Sequence, residues 1–559
     1  MMKRPALLSS VLVALAFAAG PEWLAYVEYG PGRDVAAVDA ADVTVVFELE
    51  AGCLVTADEA ELAALARSFE CRRLDRDPDG KHYMYATTLR GPLPSLAGRG
   101  EVLYLDARGA VLLTDSARAA GLDGLGVELA RIHLRPRKSD CRLQIAECRM
   151  QNEGRALPAV SDSLVWGLVG LVSQDSVEAS IRRMQGFRTR YSTTDSCRAA
   201  MAWIRGRLES YGCDTVFEFP FRNGFAPNVI GVRYGTSSPQ RIYGVCGHAD
   251  ATSEEQNRLT HAPGSDDNAS GTTAVLEAAR VFQDVEFENT VYFMAFAGEE
   301  QGLYGSDSFA EFCYRRGDSI KAVLNFDMIS YGRENRDSLD VIGKTANPPC
   351  GWLVDFYIAQ ADTFTDLKTR RRVLSYVSPN SDHYPFLARG YPALMGIERD
   401  FTPAYHTTGD TVGPLYFVNC GTNNLPLATD ATRAAVATVA KLAGATVPTG
   451  LAEIPARPAR ALRAGGPRAA GLASVRPSIG TGGFRLKLTA PARHGSRLRV
   501  YGATGRLVRS LDVAGRTEAG WDGLDESGRR ASAGSYLFRL VDGRRATTLR
   551  AVLTGRSGS

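Results

Sequence analysis

Lysine is nearly missing from this 559-residue chain: eight lysines stand against 57 arginines. The 65 basic and 62 acidic residues leave a formal net charge of only +3. A balance so close to neutral supplies no general attraction to nucleic acid or to an acidic membrane surface. With Ala and Gly abundant, the arginine excess reads as the codon usage of a GC-rich genome. Beyond the first twenty residues no apolar run reaches the ~18 residues of a membrane-spanning helix. The longest, Leu164–Val172, has nine residues, two of them glycine. No Cys-x-x-Cys pair occurs, which argues against a cysteine metal site or a dithiol redox motif. Hydrophobic residues make up 45% and charged residues 23%, so the chain is not broadly disordered. At ~150 residues per domain its length suits three to four domains.

The first twenty residues, MMKRPALLSSVLVALAFAAG, put Lys3 and Arg4 before an apolar run and a small-x-small site at Ala16-Phe17-Ala18. This is the pattern of a secretory signal peptide (1–20). The expected location is therefore secreted or extracytoplasmic, in the periplasm or at the cell surface. In that setting the ten cysteines read as structural disulfides. The simplest pairs are Cys141/Cys148, Cys197/Cys213 and Cys53/Cys71.

Four further regions follow. Residues 21–150 mix strand-like runs (43–49, 81–89, 101–106) with the helical run EAELAALARSF. The spacing of Thr56 and Glu59 predicts a capping box before that helix. This is an N-terminal α+β region, and both a propeptide and an accessory domain fit it. From 160 to 445 apolar strand runs at 228–235, 241–248, 290–298 and 321–328 alternate with helical stretches at 196–212 and 270–285. That alternation predicts an α/β sheet covered by helices, with functional groups at the carboxyl ends of strands. A Pro/Ala/Arg-rich stretch, 446–476, reads as a linker. Residues 477–559 carry alternating runs at 484–488, 497–502, 507–513 and 535–541 between Gly-rich turns, which predicts a small antiparallel β-sandwich.

Chemistry gathers at the ends of the central strands. GHAD ends one strand with His248 and Asp250, two apart and so on one face of an extended segment. PGSDDNASG (263–271) places Asp266 and Asp267 in a tight turn before a helix. Turn and N-cap chemistry accounts for one of these acids but not for both. AGEEQGLYGS (297–306) sets Glu299 and Glu300 after a strongly apolar strand, where two acids repel and lose hydration unless a cation or proton joins them. NFDMIS buries Asp327 in apolar sequence, and PAYHTTGDT carries His406 with Asp410 four residues on. Asp382 and His383 lie in a polar turn between the last two. His248, Asp267, Glu300, Asp327 and His406 offer two imidazoles and three carboxylates. Such an inventory suits two divalent first-row ions, zinc foremost, bridged by a carboxylate and a water.

The ordered set GHAD, PGSDDNASG, AGEEQGLYGS, NFDMIS and YHTTGDT resembles the M28 family of co-catalytic zinc aminopeptidases across 160–445. The resemblance implies a three-layer α/β/α sandwich with a mixed sheet and two Zn2+ ions. It implies His248 and Asp327 on one zinc, Glu300 and His406 on the other, and Asp267 as the bridge. It also implies Glu299 as general base and Asp250 as a support behind the ligands. The expected substrates are peptides with a free N-terminus. The tail, with VYGATGRLVRSL and GWDGLDESGRRASAGSYLFRL, resembles the FlgD-like immunoglobulin-type module. That likeness implies sorting or contact with the cell surface or secretion machinery; a passive spacer is the plain alternative. A carboxypeptidase or dipeptidase on the same fold competes with the aminopeptidase reading. So does a non-catalytic metal-containing surface binding protein, although a binder has no use for Glu299 beside Glu300.

Overall fold

The computed structural model describes residues 22–134, 158–446 and 472–553, with short breaks inside them. The expected signal peptide, residues 447–471 of the linker and the Cys141/Cys148 pair lie outside the described residues. The chain divides into two compact units, one of residues 1–146 with 375–380, the other of 147–374 with 381–559.

The first unit holds two four-stranded antiparallel sheets. One orders Thr44–Glu48, Gly52–Ala57, Trp23–Glu28 and Glu70–Arg76; the other orders Glu101–Leu105, Gly109–Leu113, Tyr83–Thr87 and Glu128–Ile132. A capping box starts its helix Glu59–Leu65, but with Asp58 and Glu61 rather than Thr56 and Glu59. Thr56 is spent in the strand Gly52–Ala57, so the cap falls two residues later.

The second unit contains the α/β/α sandwich. Its eight strands are β1 (Thr215–Phe219), β2 (Asn228–Arg233), β3 (Ser238–His248), β4 (Asn289–Phe296), β5 (Ser319–Phe326), β6 (Leu339–Lys344), β7 (Thr369–Leu374) and β8 (Ala393–Glu398). They form one sheet in the order β7-β6-β8-β5-β3-β4-β2-β1. The middle of the sheet, β8-β5-β3-β4, is parallel, and β2 and β6 run antiparallel to their inner neighbours. Strands such as NTVYFMAF are buried along their whole length, as expected where helices cover both faces. One face carries α1 (Asp162–Leu171), α2 (Gln174–Gln185), α3 (Asp195–Ser210), α4 (Ala269–Val281), α6 (Gly351–Phe364) and α8 (Leu425–Ala443). The other carries α5 (Tyr304–Arg316) and α7 (His383–Ala388), packed against each other. No described helix is long and apolar enough to cross a membrane.

C-terminal to this, a three-stranded sheet and a five-stranded sheet form the β-sandwich. Its first strand, Leu472–Arg476, lies inside the stretch expected to be linker and pairs with Phe484–Leu488. Trp521 is buried among Phe484, Tyr536 and Phe538. Its indole N–H donates to the Leu524 carbonyl at 2.8 Å.

The disulfide expectation fails for the two pairs that can be inspected. Cys53 and Cys71 both sit opposite Val27, on the two strands flanking it. Two strand spacings put them about 10 Å apart, beyond the ~7 Å Cα reach of a disulfide. Cys197 lies near the start of α3 and Cys213 beyond its end, roughly 20 Å apart at 1.5 Å per helical residue. No disulfide joins any described cysteine.

Helix α4 reaches the sheet because its first turn is small. A Cβ on Gly271 would lie 2.0 Å from the Phe326 carbonyl oxygen and 2.5 Å from Asn268 Oδ1. Gly271→Ala should therefore destabilise the central domain by about 1–3 kcal/mol, the usual cost of overpacking. The measurement is the denaturant midpoint of its unfolding.

Candidate metal centre

The parallel strands β3, β4, β5 and β8 all end at one edge of the sheet, and every acid and imidazole singled out in the sequence comes from the loops there. His248 closes β3. Glu299 and Glu300 follow β4, Asp327 follows β5, His406 lies in the loop after β8, and Asp267 immediately precedes the cap of α4. All six are buried.

His248 Nε2 lies 3.3 Å from Asp327 Oδ1, 3.4 Å from Asp267 Oδ1 and 3.9 Å from Glu299 Oε2. His406 Nε2 lies 2.9 Å from Glu300 Oε2 and 3.2 Å from Asp267 Oδ2. Asp267 thus turns one oxygen to each imidazole. Ligand atoms of His248, Glu299 and Asp327 come within 4.8 Å of one another, as do those of His248, Asp267 and Glu300.

The residues fit a cation. His406 Nε2 is buried with two carboxylate oxygens beside it, yet neither contact has hydrogen-bond geometry. An imidazole nitrogen so placed could, on losing its proton, turn a lone pair to a cation between itself and the carboxylates. Mixed imidazole and carboxylate donors are those of a first-row divalent ion.

The electrostatics point the same way. Burial alone would lower the His248 pKa, but the charges of Glu299 and Asp327 outweigh it and hold the ring well above its usual range. Burial likewise opposes protonation of His406, and Glu300 and Asp267 reverse the effect. Burial and the neighbouring Asp267 push Glu300 up to about 8. Burial would raise Asp267 too, but the imidazoles of His248 and His406 beside its two oxygens hold it below the carboxylate range.

Residues behind these donors hold the loops in place. Asp250 accepts from Ser192 Oγ at 2.8 Å and from the backbone N–H groups of Glu299 and Glu300 at 3.4 Å each. Its Oδ1 is 3.6 Å from His248 Nδ1. Asp410 accepts from Ser265 Oγ and from the backbone N–H groups of Asp266 and Asp267. Asn268 caps α4 through the Gly271 N–H and donates to the Phe326 carbonyl. Ser381 Oγ donates to Asp327 Oδ2 at 2.5 Å, which gives the Ser-Asp-His turn a part in the site. Asp382 beside it has no hydrogen-bond partner among the described residues, and burial raises it to about 7. His383 is fully buried, and burial lowers it to about 3, so its ring is neutral.

Arg190 carries no signal in the sequence and is central here. Fully buried, it donates to the carbonyls of Ala249, Pro263 and Gly264 at 2.7, 2.6 and 2.7 Å. It ties the segment after His248 to the turn that carries Asp267. Only tertiary structure reveals this, because its partners are backbone atoms 59 to 74 residues away.

Imidazoles and carboxylates buried together at the carboxyl edge of a helix-covered sheet define an α/β domain with a site that fits a metal ion. Residues 228–415 match the sequence model of peptidase family M28, and residues 475–544 match that of the FlgD Ig-like domain. The chain thus carries a peptidase family M28 domain followed by a FlgD-like Ig domain. A probable zinc metalloprotease of Pyrenophora teres f. teres is 29% identical over 206 residues, covering 33% of this chain and 42% of that protein. The chain therefore spans less than half the length of that relative. A probable leucine aminopeptidase 1 of Trichophyton verrucosum is 28% identical over 273 residues, covering 45% of this chain and 71% of that protein. Among solved structures, the LapA aminopeptidase of Legionella pneumophila superposes with a TM-score of 0.50 at 18% identity, over 65% of this chain and 98% of that one. That likeness concerns the fold.

Two outcomes follow from the geometry. Arg190→Met should weaken zinc binding by about 10–100-fold, the usual effect of removing a group that orients ligands. Competition against a chromophoric chelator measures it, with circular dichroism showing that the variant is folded. Zinc binding should also release protons, because the metal-free imidazoles are held in the protonated form and only neutral rings ligate. Affinity should then rise from mildly acidic to mildly alkaline buffer, and calorimetry in buffers of different ionisation enthalpy counts the protons.

Proposed function

We propose that this chain is a secreted di-zinc exopeptidase that removes N-terminal residues from peptides. The observation that carries the proposal is the divergence of two adjacent glutamates. Glu300 turns to His406 at 2.9 Å, while Glu299 Oε2 faces His248 from 3.9 Å. One side chain turns to His406, and the other turns to His248.

In this reading His248 and Asp327 would hold one zinc, Glu300 and His406 would hold the other, and Asp267 would serve both. The two oxygens that Asp267 turns to the two imidazoles support the bridging assignment. Bound zinc would supply Lewis-acid polarisation of the scissile carbonyl and acidify a water. Glu299 takes a proton from the water that attacks the carbonyl carbon, holds it on its carboxyl group and delivers it to the leaving nitrogen. Asp250 fixes that geometry through the backbone N–H groups of both glutamates. The same acids orient the free α-amine of the substrate by charge. The curated relatives named zinc metalloprotease and leucine aminopeptidase support the reaction class. Secretion rests on the pattern of residues 1–20, and a role of the FlgD-like domain in surface attachment rests on its family match.

The test is hydrolysis of aminoacyl-p-nitroanilides beside their N-acetylated twins, with and without chelator. Cleavage of the free-amine forms alone, abolished by chelator and restored by zinc, is expected. Cleavage of the acetylated twins would move the reaction to another exopeptidase class. Glu299→Gln should keep its zinc and lose activity by ~10²–10⁴-fold; near-normal turnover would remove the glutamate from its role as base.

A further inference from the structure

Strand β2 runs antiparallel to β4, with Val229 opposite Ala295. The loop 221–227 that leads into β2 therefore lies at the edge where β4 ends and Gly298, Glu299 and Glu300 follow. The contact is direct. A Cβ built on Gly298 would stand 3.1 Å from the Phe221 ring and 3.2 Å from the Phe225 ring. The Phe225 ring meets Tyr304 edge-on at 5.8 Å between centroids. Tyr304, the first residue of α5, donates its backbone N–H to the Gly298 carbonyl at 2.9 Å. Phe221, Phe225 and Tyr304 thus make an aromatic shelf against the backbone of the residue preceding Glu299.

Arg222 lies over this shelf. Its guanidinium carbon is 4.3 Å from the Tyr304 ring centroid and 5.0 Å from that of Phe225. The side chain is half-buried, and among the described residues no carboxylate pairs with it. The loop is tied down around it. Arg198 donates to the Phe225 and Gly224 carbonyls at 2.9 and 3.1 Å, and the Ala226 N–H donates to the Ser192 carbonyl at 2.7 Å. A guanidinium held over aromatic rings, with no carboxylate of its own, can direct N–H groups at a bidentate acceptor. Partial burial strengthens the pairing it can make.

We infer that Arg222 is a specificity-determining residue that binds a carboxylate of the substrate beside the Glu299 centre. The inference rests on the peptidase reading above and deepens it. The carboxylate comes either from the C-terminus of a di- or tripeptide or from an acidic side chain next to the cleaved bond. In the first case the protein is tuned to short peptides, in the second to acidic ones.

The experiment compares matched pairs: a dipeptide with its C-terminal amide, and a peptide amide with Asp against its Asn twin next to the cleaved bond. The acid of a pair should be preferred about 10–100-fold in kcat/KM, the usual worth of hydrogen bonds to a charged group, with the difference in KM. Arg222→Met should bring the ratio to about one, and Arg222→Lys should restore part of it. A stability defect would lower both members of a pair together and leave the ratio alone. Preference confined to the first pair identifies a terminal carboxylate, and preference confined to the second an acidic side chain. Equal rates within both pairs, or a preference that survives Arg222→Met, would overturn the inference. Cleavage of no peptide would instead overturn the peptidase reading. Calorimetric binding of the same pairs then decides the carboxylate site: an acid preference lost in Arg222→Met supports it, and equal binding overturns it.

Discussion

Too many carboxylates are buried at one edge of the central sheet for the positive charge around them. Asp266, Asp267, Glu299, Glu300, Asp327 and Asp382 are all buried there. The one fully buried guanidinium among them, Arg190, is committed to three backbone carbonyls. Burying an unpaired carboxylate is costly enough that the group takes up a proton or a cation. Burial favours the first solution at three of them, pushing Asp266 and Glu300 up to about 8 and Asp382 up to about 7. A cation beside Glu300 would displace its proton. Metal binding, proton release and the stability of this edge are therefore one equilibrium.

The fold concentrates charge in this way because several chain crossings end together. Parallel strands β3, β4, β5 and β8 each deliver a loop to the same edge, and helices cover both faces, so the loops are sealed from water at their roots. Close approach then matters more than side-chain bulk. Gly271 lets α4 touch the end of β5, and the small residues of α4 and α8 let those helices lie close to each other and to the sheet. Asp410 and Arg190 complete the arrangement by tying together loops distant in the chain. The ligand geometry is thus a property of the packed domain rather than of any single motif.

The other modules carry their own cores. The C-terminal sandwich is centred on Trp521 with Phe484 and Phe538. The N-terminal region has a separate cluster around Val27, Cys53 and Leu62. A chain of several cores can place a catalytic domain beside modules with unrelated tasks. The comparisons agree, since different family models match different segments.

Much of this was legible in the sequence. Buried strands of a helix-covered sheet are continuous apolar runs, so β2 to β5 could be bounded to within a few residues. An acid or histidine at the end of such a run stands out because burial makes it expensive. The ordering of five such clusters pointed to the family and to acids and imidazoles that the fold brings together at one edge. The disulfides were misjudged because spacing along the chain says nothing of distance across a sheet or along a helix: Cys53 and Cys71 are separated by a strand, Cys197 and Cys213 by a helix. The cap at Asp58 was missed because Thr56 suits a strand as well as a cap. Arg190 and Arg222 had no signal at all. One acts on backbone carbonyls and the other on ring faces, and neither partner leaves a mark in the order of side chains. Residue types and their spacing determined the candidate donors and the elements that carry them. The tertiary structure alone decided which oxygen faces which nitrogen and which charge is left unpaired, because those depend on how loops far apart in the chain meet once the sheet has formed.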